Sequence, residues 1–236
     1  MPDDQPIIIT IDGPAGTGKS SVARQLAGRL GLDFLDTGAM YRAATAIAID
    51  HSIVEAVRRG EVGEFLELLL DADLHFDWND DPPSILAWLR PLNERIREKD
   101  VTSTVSMVAA IRTLRKHMVQ KQRIIGHQHP RLVTEGRDQG SVVFPNAEVK
   151  FYLDAAPEVR AARRAAQERA KGVIVDDAEL LASIIERDRL DSSRSDGPLV
   201  CPSDAVRIDT APHDIVGVIG ILERMTRDRV ESLRGG

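Results

Sequence analysis

The chain has 236 residues, 42% of them hydrophobic, with 31 Lys and Arg against 37 Asp and Glu, a formal net charge of −6. That acidic balance argues against a general nucleic-acid or membrane-surface binder, which would present a basic field. A single cysteine, Cys201, excludes an internal disulfide and a cysteine-built metal site. Short apolar runs bounded by turn signals recur at 7–11, 32–35, 131–134, 149–153 and 205–208, each beside a stretch of helical periodicity. Buried strands alternating with helices specify an α/β fold, a parallel five-stranded sheet between two helical layers. Residues 71–100 break the rhythm: they hold Trp78, Trp88 and a Pro82-Pro83 turn, and read as a small inserted subdomain with a short antiparallel strand pair. Residues 155–194 are arginine-rich and helix-forming, interrupted at Lys171–Asp177, and read as a helix, loop, helix excursion. The organisation is therefore one domain, 1–236, carrying these two additions. The acidic start MPDDQP and the lack of any apolar run of about eighteen residues place the expected protein in the cytoplasm, with no signal peptide or membrane span.

After the first apolar run comes Gly13-Pro14-Ala15-Gly16-Thr17-Gly18-Lys19-Ser20, followed by Ser21 and a helical pattern. This fits G-x-x-x-x-G-K-[ST] in the context its mechanism requires, between a strand and a helix. Glycines let the backbone curl so that successive N–H groups point inward at phosphate, and the helix adds its positive end. Lys19 is then placed to bridge outer phosphates, and Ser20 to ligate magnesium. A nucleoside triphosphate is the expected ligand. Asp12, just before the knot, is assigned no chemistry.

A phosphate cradle does not by itself separate a kinase from a switch, a motor or a transporter. Neither the L-S-G-G-Q transporter signature nor the N-K-x-D guanine motif occurs. The stretch LDTGAMYRAAT brings together Thr37, Gly38, Tyr41 and Arg42, a set suited to an acceptor phosphate; it also reads as a strand-end turn with Thr37 capping the next helix. In ELLASIIERDRLDSSR, Leu180, Ile184, Arg187, Asp191 and Arg194 share one helical stripe that changes from apolar to charged. A stripe of that kind suits a cleft wall, or an i, i+4 ion pair at a helix end.

Five segments, TIDGPAGTGKSS, FLDTGAMYR, VTEGRDQGSVVFPNAEVKFYLDA, RDRLDSSR and DAVRIDT, stand in the order found in the bacterial cytidylate kinases, and the resemblance covers nearly the whole chain. It implies magnesium-dependent phosphorylation of CMP, and of dCMP, by ATP. It further implies that 71–100 is a monophosphate-side subdomain and 155–194 a helical lid. Glu135 then lies near the metal through a water. Arg137 and Arg194 hold the acceptor phosphate, Asp138 accepts from the cytosine amine, and Arg187 and Asp191 meet the sugar. Ser106 and Arg115 read the pyrimidine edge, although neither stands out on its own. Among Arg160, Arg163 and Arg164, one or more closes over ATP; on spacing alone they are equally a charged helix face. The family's partners are ATP and CMP or dCMP, with no nucleic acid and no membrane, and the expected state is a monomer. Three features depart from the family pattern: Gln139 where an aliphatic residue is commoner, the run RSDGPLVCPSDAV, and most of the insert. The rival readings are a small-metabolite kinase of the shikimate or gluconate type and a non-catalytic ATP-binding switch.

Overall fold

The structure, a computed structural model, describes residues 5–234; the acidic start at 1–4 lies outside them. The chain divides into two compact units, one formed by the residues up to 34 with those from 123 onward, the other by 35–122.

The first unit is built on the sheet expected from the apolar runs. The strands of that sheet are β1 (Ile7–Asp12), β2 (Asp33–Asp36, whose last two residues count with the second unit), β6 (Arg131–Gly136), β7 (Val149–Asp154) and β8 (Val206–Asp209), in the order β2-β6-β1-β7-β8. β1 pairs in parallel with β6 and with β7, and β7 with β8. β1 sits in the middle and is IIITID, a nearly continuous apolar run, as a strand covered on both faces requires. Its Ile7, Ile9 and Ile11 pack with Val22, Leu26 and Leu30 of helix α1 (Lys19–Leu30), Phe151 and Leu153 of β7, and Val218, Ile219 and Leu222 of α9 (Ile215–Arg234). Each such side chain, fully buried, contributes about 1.5–3 kcal/mol. α1 stops at Gly31, whose φ of 64° lets Leu32 N–H reach back to the Ala27 carbonyl at 2.9 Å. Strand alternation turns Thr10 and Asp12 of β1, with Thr134 of β6, to the opposite face, and all three are buried there. Beyond β7, α7 (Pro157–Ala170) and α8 (Asp177–Ser192) pack against each other across the loop 171–176.

In the second unit, α2 (Thr37–Asp50) buries Ala39, Met40, Ala43, Ala44 and Ile47. It packs on α5 (Lys99–Val108). α3 (Val54–Arg58), α4 (Gly63–Asp71), α6 (Arg112–Gln128, whose residues fall in both units) and a single 3-10 turn at Arg95–Arg97 are its other helical segments. The antiparallel sheet has three strands where a pair was expected: β3 (His75–Asp77), β4 (Ser84–Ala87) and β5 (Arg90–Pro91). The third escapes pattern reading because it is two residues long, one of them proline, and lies at the edge. The chain reverses into it through Trp88 and Leu89, at φ 49° and 60°, a turn made without glycine. Among the described residues no helix is long and apolar enough to cross a membrane.

Candidate active site

The glycine knot leaves β1 and runs into α1 as the motif requires. Gly13 has φ 145°, and a Cβ there would stand 2.0 Å from the Leu153 carbonyl oxygen, so only glycine lets the knot cross β7 this closely. Gly18, at φ 87°, precedes α1 without a side-chain cap, leaving the helix's first N–H groups to an anion. Lys19 is buried; its Nζ donates to the Pro14 carbonyl at 2.7 Å, and Thr17 Oγ1 donates to the same oxygen at 3.1 Å. Burial, reinforced by the Arg137 guanidinium, pushes the Lys19 ammonium down to about 7, against the pull of Glu135 and Asp12. Ser20 Oγ donates to Glu135 Oε1 at 2.7 Å. Ser21 is exposed on the first turn of α1.

Glu135 and its successors come from the end of β6, where ligands gather in open α/β sheets. Arg137 Nε donates to Asp191 Oδ2 at 2.8 Å, and Arg194 donates to the other oxygen of the same carboxylate. Burial alone would raise the Asp191 carboxyl, yet the Arg137 and Arg194 guanidinium groups hold it below the usual carboxylate range. Arg187 lies close enough to act electrostatically on both Lys19 and Asp191. The stripe read from ELLASIIERDRLDSSR is thus inward: Ile184 and Asp191 are buried, Leu180 and Arg187 half-buried. Arg194 stands beyond the helix end at Ser192 and is tied back to Asp191. Lys19, Glu135, Arg137, Arg187, Asp191 and Arg194 form one charged cluster within the first unit.

Arg160 and Arg163 face different ways. Arg160, buried, donates to the Ala155 carbonyl at 2.8 Å, the Ala15 carbonyl at 3.1 Å and Asp188 Oδ2 at 2.6 Å, stitching α7 and α8 to the glycine knot. Arg163 donates to Thr210 Oγ1 at 2.9 Å and to its carbonyl at 2.6 Å, beyond β8. Arg164 pairs with Glu168 on the exposed side. A cleft of about 620 Å³ flanks the knot at Pro14 and is lined by Tyr152, Asp154, Arg160, Asp188 and Arg207 among others; Lys19 is not part of its lining.

Asp138, buried two residues beyond the end of β6, also belongs to the first unit, and the remaining residues lie in the second. Asp36, rather than Thr37, caps α2: its carboxylate accepts from Ala39 N–H at 2.9 Å and from Arg42 Nη2 at 2.8 Å. Thr37 is the first helical residue and is buried, and Gly38 lies in the helix, where a Cβ would meet Arg42 Nη1 at 2.8 Å. Arg115, buried on α6, lies over the Tyr41 ring at 5.4 Å and donates to the Ala109 carbonyl. Ser106 is half-buried on α5.

Two residues of this region went unassigned in the sequence. Asp188 is one, visible only as the fourth carboxylate of an acidic-basic helix. The other is Asp12, fully buried and pushed up to about 7 by that burial against the N–H groups of Gly140 and Gln139 that it accepts. Gln139, noted as unusual, is buried too, and takes the Thr134 hydroxyl on its amide oxygen at 2.9 Å.

A hydroxyl and a carboxylate side by side at Ser20 and Glu135 are hard oxygen donors. Among the described residues no group of three or more His, Cys, Asp or Glu gathers around a point. That donor set suits magnesium, which keeps waters and takes further ligands from substrate phosphates.

Residues 9–227 match the family described as cytidylate kinase. The chain is 42% identical over 227 residues to a cytidylate kinase of Rhodococcus opacus, covering 94% of this chain and 96% of that one. It is 42% identical over 233 residues to one of Corynebacterium efficiens, covering 98% of each. With one of Mycobacterium leprae it shares 40% over 225 residues, covering 94% and 96%. A phosphate-binding knot, an acidic strand end and an arginine-carboxylate-arginine bridge thus occur in a chain that matches these relatives almost end to end, and it belongs to the cytidylate kinase family.

Proposed function

We infer that the chain transfers the γ-phosphoryl group of ATP to CMP, and to dCMP, forming the diphosphate and releasing ADP. The observation that carries this reading is the match to curated cytidylate kinases along 94–98% of the chain. An oxygen of the acceptor phosphate attacks the γ-phosphorus, and the bond from that phosphorus to the β,γ-bridging oxygen breaks. The acceptor is already anionic, so no side chain has to act as a strong base; alignment, charge neutralisation and exclusion of water carry the catalysis.

The knot from Gly13 to Ser21 binds ATP. Lys19 exchanges its bond to the Pro14 carbonyl for the outer phosphates. Ser20 and, through a water, Glu135 would hold magnesium, which would offset charge on the phosphates. Arg42, Arg137 and Arg194 receive the acceptor phosphate, and Asp138 accepts from the cytosine amine while repelling the O4 carbonyl of uracil. Ser106 and Arg115 read the rest of the pyrimidine edge, Thr37 and Tyr41 line the acceptor, and Arg187 and Asp191 meet the ribose. Arg160 and Arg163 belong to a lid formed by 155–194, and 71–100 serves the monophosphate side. The chain works as a cytoplasmic monomer on small molecules alone, without nucleic acid or membrane.

ADP release measured in a coupled assay with CMP, dCMP, UMP, AMP or shikimate tests the reading. CMP and dCMP should stimulate release most. Stimulation by shikimate would point to a small-metabolite kinase, and indifference to every acceptor would point to a switch.

A further inference from the structure

The face of the sheet opposite α1 carries a buried polar cluster that the transfer mechanism does not use. Alternation along β1 sets Thr10 and Asp12 on that face, and the parallel register puts Thr134 of β6 beside Thr10. After β6 ends at Gly136 the chain runs Arg137, Asp138 and then folds back over this cluster as a single wide turn, Gln139–Val143, with the Asp138 carbonyl accepting from Val142 N–H at 2.9 Å and Val143 N–H at 3.1 Å. Wide turns of this kind leave N–H groups without an intrahelical partner. Here the two at its start go to one carboxylate: Gln139 N–H donates to Asp12 Oδ1 at 2.9 Å, and Gly140 N–H to Asp12 Oδ2 at 2.7 Å.

The other supports of the turn come from different elements. Thr134 Oγ1 donates to the Gln139 amide at 2.9 Å. Arg123 donates to the Val143 carbonyl at 3.0 Å and the Val142 carbonyl at 2.7 Å, holding its far end. Gly140 is required for the approach, since a Cβ there would meet Thr10 Oγ1 at 2.8 Å and Asp12 Oδ2 at 3.4 Å. Among the hydrogen bonds of the described residues, Asp12 is the side chain that takes both N–H groups immediately after Asp138, and it ends the central strand and leads directly into the glycine knot.

We propose that Asp12 is a positioning residue for acceptor selection: by holding the N–H groups of Gln139 and Gly140 it fixes the backbone that aims Asp138. This rests on the reading of Asp138 as the group that accepts from the cytosine amine. The carboxylate geometry needs both oxygens as acceptors, so Asp12→Asn turns an N–H donor toward a backbone N–H and frees the turn. A misplaced specificity group costs discrimination before it costs chemistry.

The test is steady-state kinetics on the full chain with CMP and UMP at saturating ATP, and with ATP at saturating CMP, for wild type, Asp12→Asn, Asp138→Ala and the double variant. Wild-type preference for CMP over UMP is measured first, so a failure of the cytidylate reading shows there, independently of Asp12. Asp12→Asn should lower the CMP-over-UMP ratio of kcat/KM on the order of tenfold through the KM for CMP, with the KM for ATP held within about twofold. In the Asp138→Ala background it should change that ratio no further, since both changes act through one group. Loss that multiplies in the double variant, or a raised KM for ATP with CMP selectivity intact, overturns the proposal and assigns Asp12 to the glycine knot. Should Asp12→Asn fail to fold, Gly140→Ala disturbs the same turn from the other side and should give the same fall in selectivity; unchanged selectivity there overturns the proposal equally.

Discussion

The Ser20 hydroxyl donates to the Glu135 carboxylate at 2.7 Å, joining the first turn of α1 to the end of β6, which are 115 residues apart in the chain. The two positions singled out separately for a metal, one by the phosphate-binding motif and one by family resemblance, therefore meet. On the proposed reading these two groups would be the ones that meet the cation and its waters. Glu135→Gln keeps the hydrogen bond and removes the charge. The magnesium concentration giving half-maximal rate should rise about tenfold, with ATP binding in the absence of metal unchanged. A magnesium titration of the rate checks this; an unaltered midpoint would remove Glu135 from the metal's surroundings.

Lys19 is buried beside the Arg137 and Arg187 guanidinium groups, which is why its ammonium is pushed down to about 7. Bound triphosphate supplies the missing counter-charge and draws the proton back. ATP binding should thus take up a proton above pH 7, and affinity should fall as pH rises, by at most about tenfold per unit. Calorimetry in buffers of different ionisation enthalpy reads the uptake directly. For the empty protein the sign follows from the same depression: between about 7 and the ordinary 10.5 the unfolded chain keeps a proton that the folded chain has lost. This group's contribution to stability is accordingly present at high pH and lost as pH falls through 7. Lys19→Ala should abolish turnover while leaving the fold intact.

Asp138→Ala should raise the KM for CMP and relax the preference over UMP. A hydrogen bond to a charged group is worth about 1.5–3 kcal/mol, so the ratio of kcat/KM should fall about ten- to a hundredfold. Unchanged CMP over UMP selectivity would transfer base reading to Ser106 and Arg115.

Arg160 serves three acceptors in three directions, the Ala155 and Ala15 carbonyls and the Asp188 carboxylate. Arg160→Ala leaves Asp188 partly buried without its cation and releases α7 from the knot. A loss of about 3 kcal/mol is expected, lowering Tm by roughly 6–12 °C. Arg160→Lys should rescue little, because one ammonium cannot span the fork. Thermal melts of both variants check this, and a full rescue by lysine would show that charge alone matters.

How much of this was legible before folding differs by element. The central sheet could be read because β1, β6 and β7 are apolar runs buried on both faces, and an edge moved by a residue or two at each of the five strands. The glycine knot was legible because its constraint is local: no other residue tolerates φ 145° against the Leu153 carbonyl at Gly13. The Arg137, Asp191, Arg194 bridge was half legible; periodicity put Asp191 and Arg194 on an inward stripe, but nothing local links them to the residue that follows β6. Asp12 and Gln139 were not, since their partners are backbone groups and a hydroxyl fixed only by the sheet register. Asp36 took the capping role read for Thr37 because a carboxylate one residue earlier reaches both the helix N–H and Arg42.

The most direct measurement follows a labelled γ-phosphoryl group from ATP and identifies the product that carries it, with CMP and shikimate offered together. Label accumulating in CDP in step with ADP is the outcome the account predicts. Label found only in inorganic phosphate or in shikimate phosphate, with CMP untouched, would contradict the account at its root.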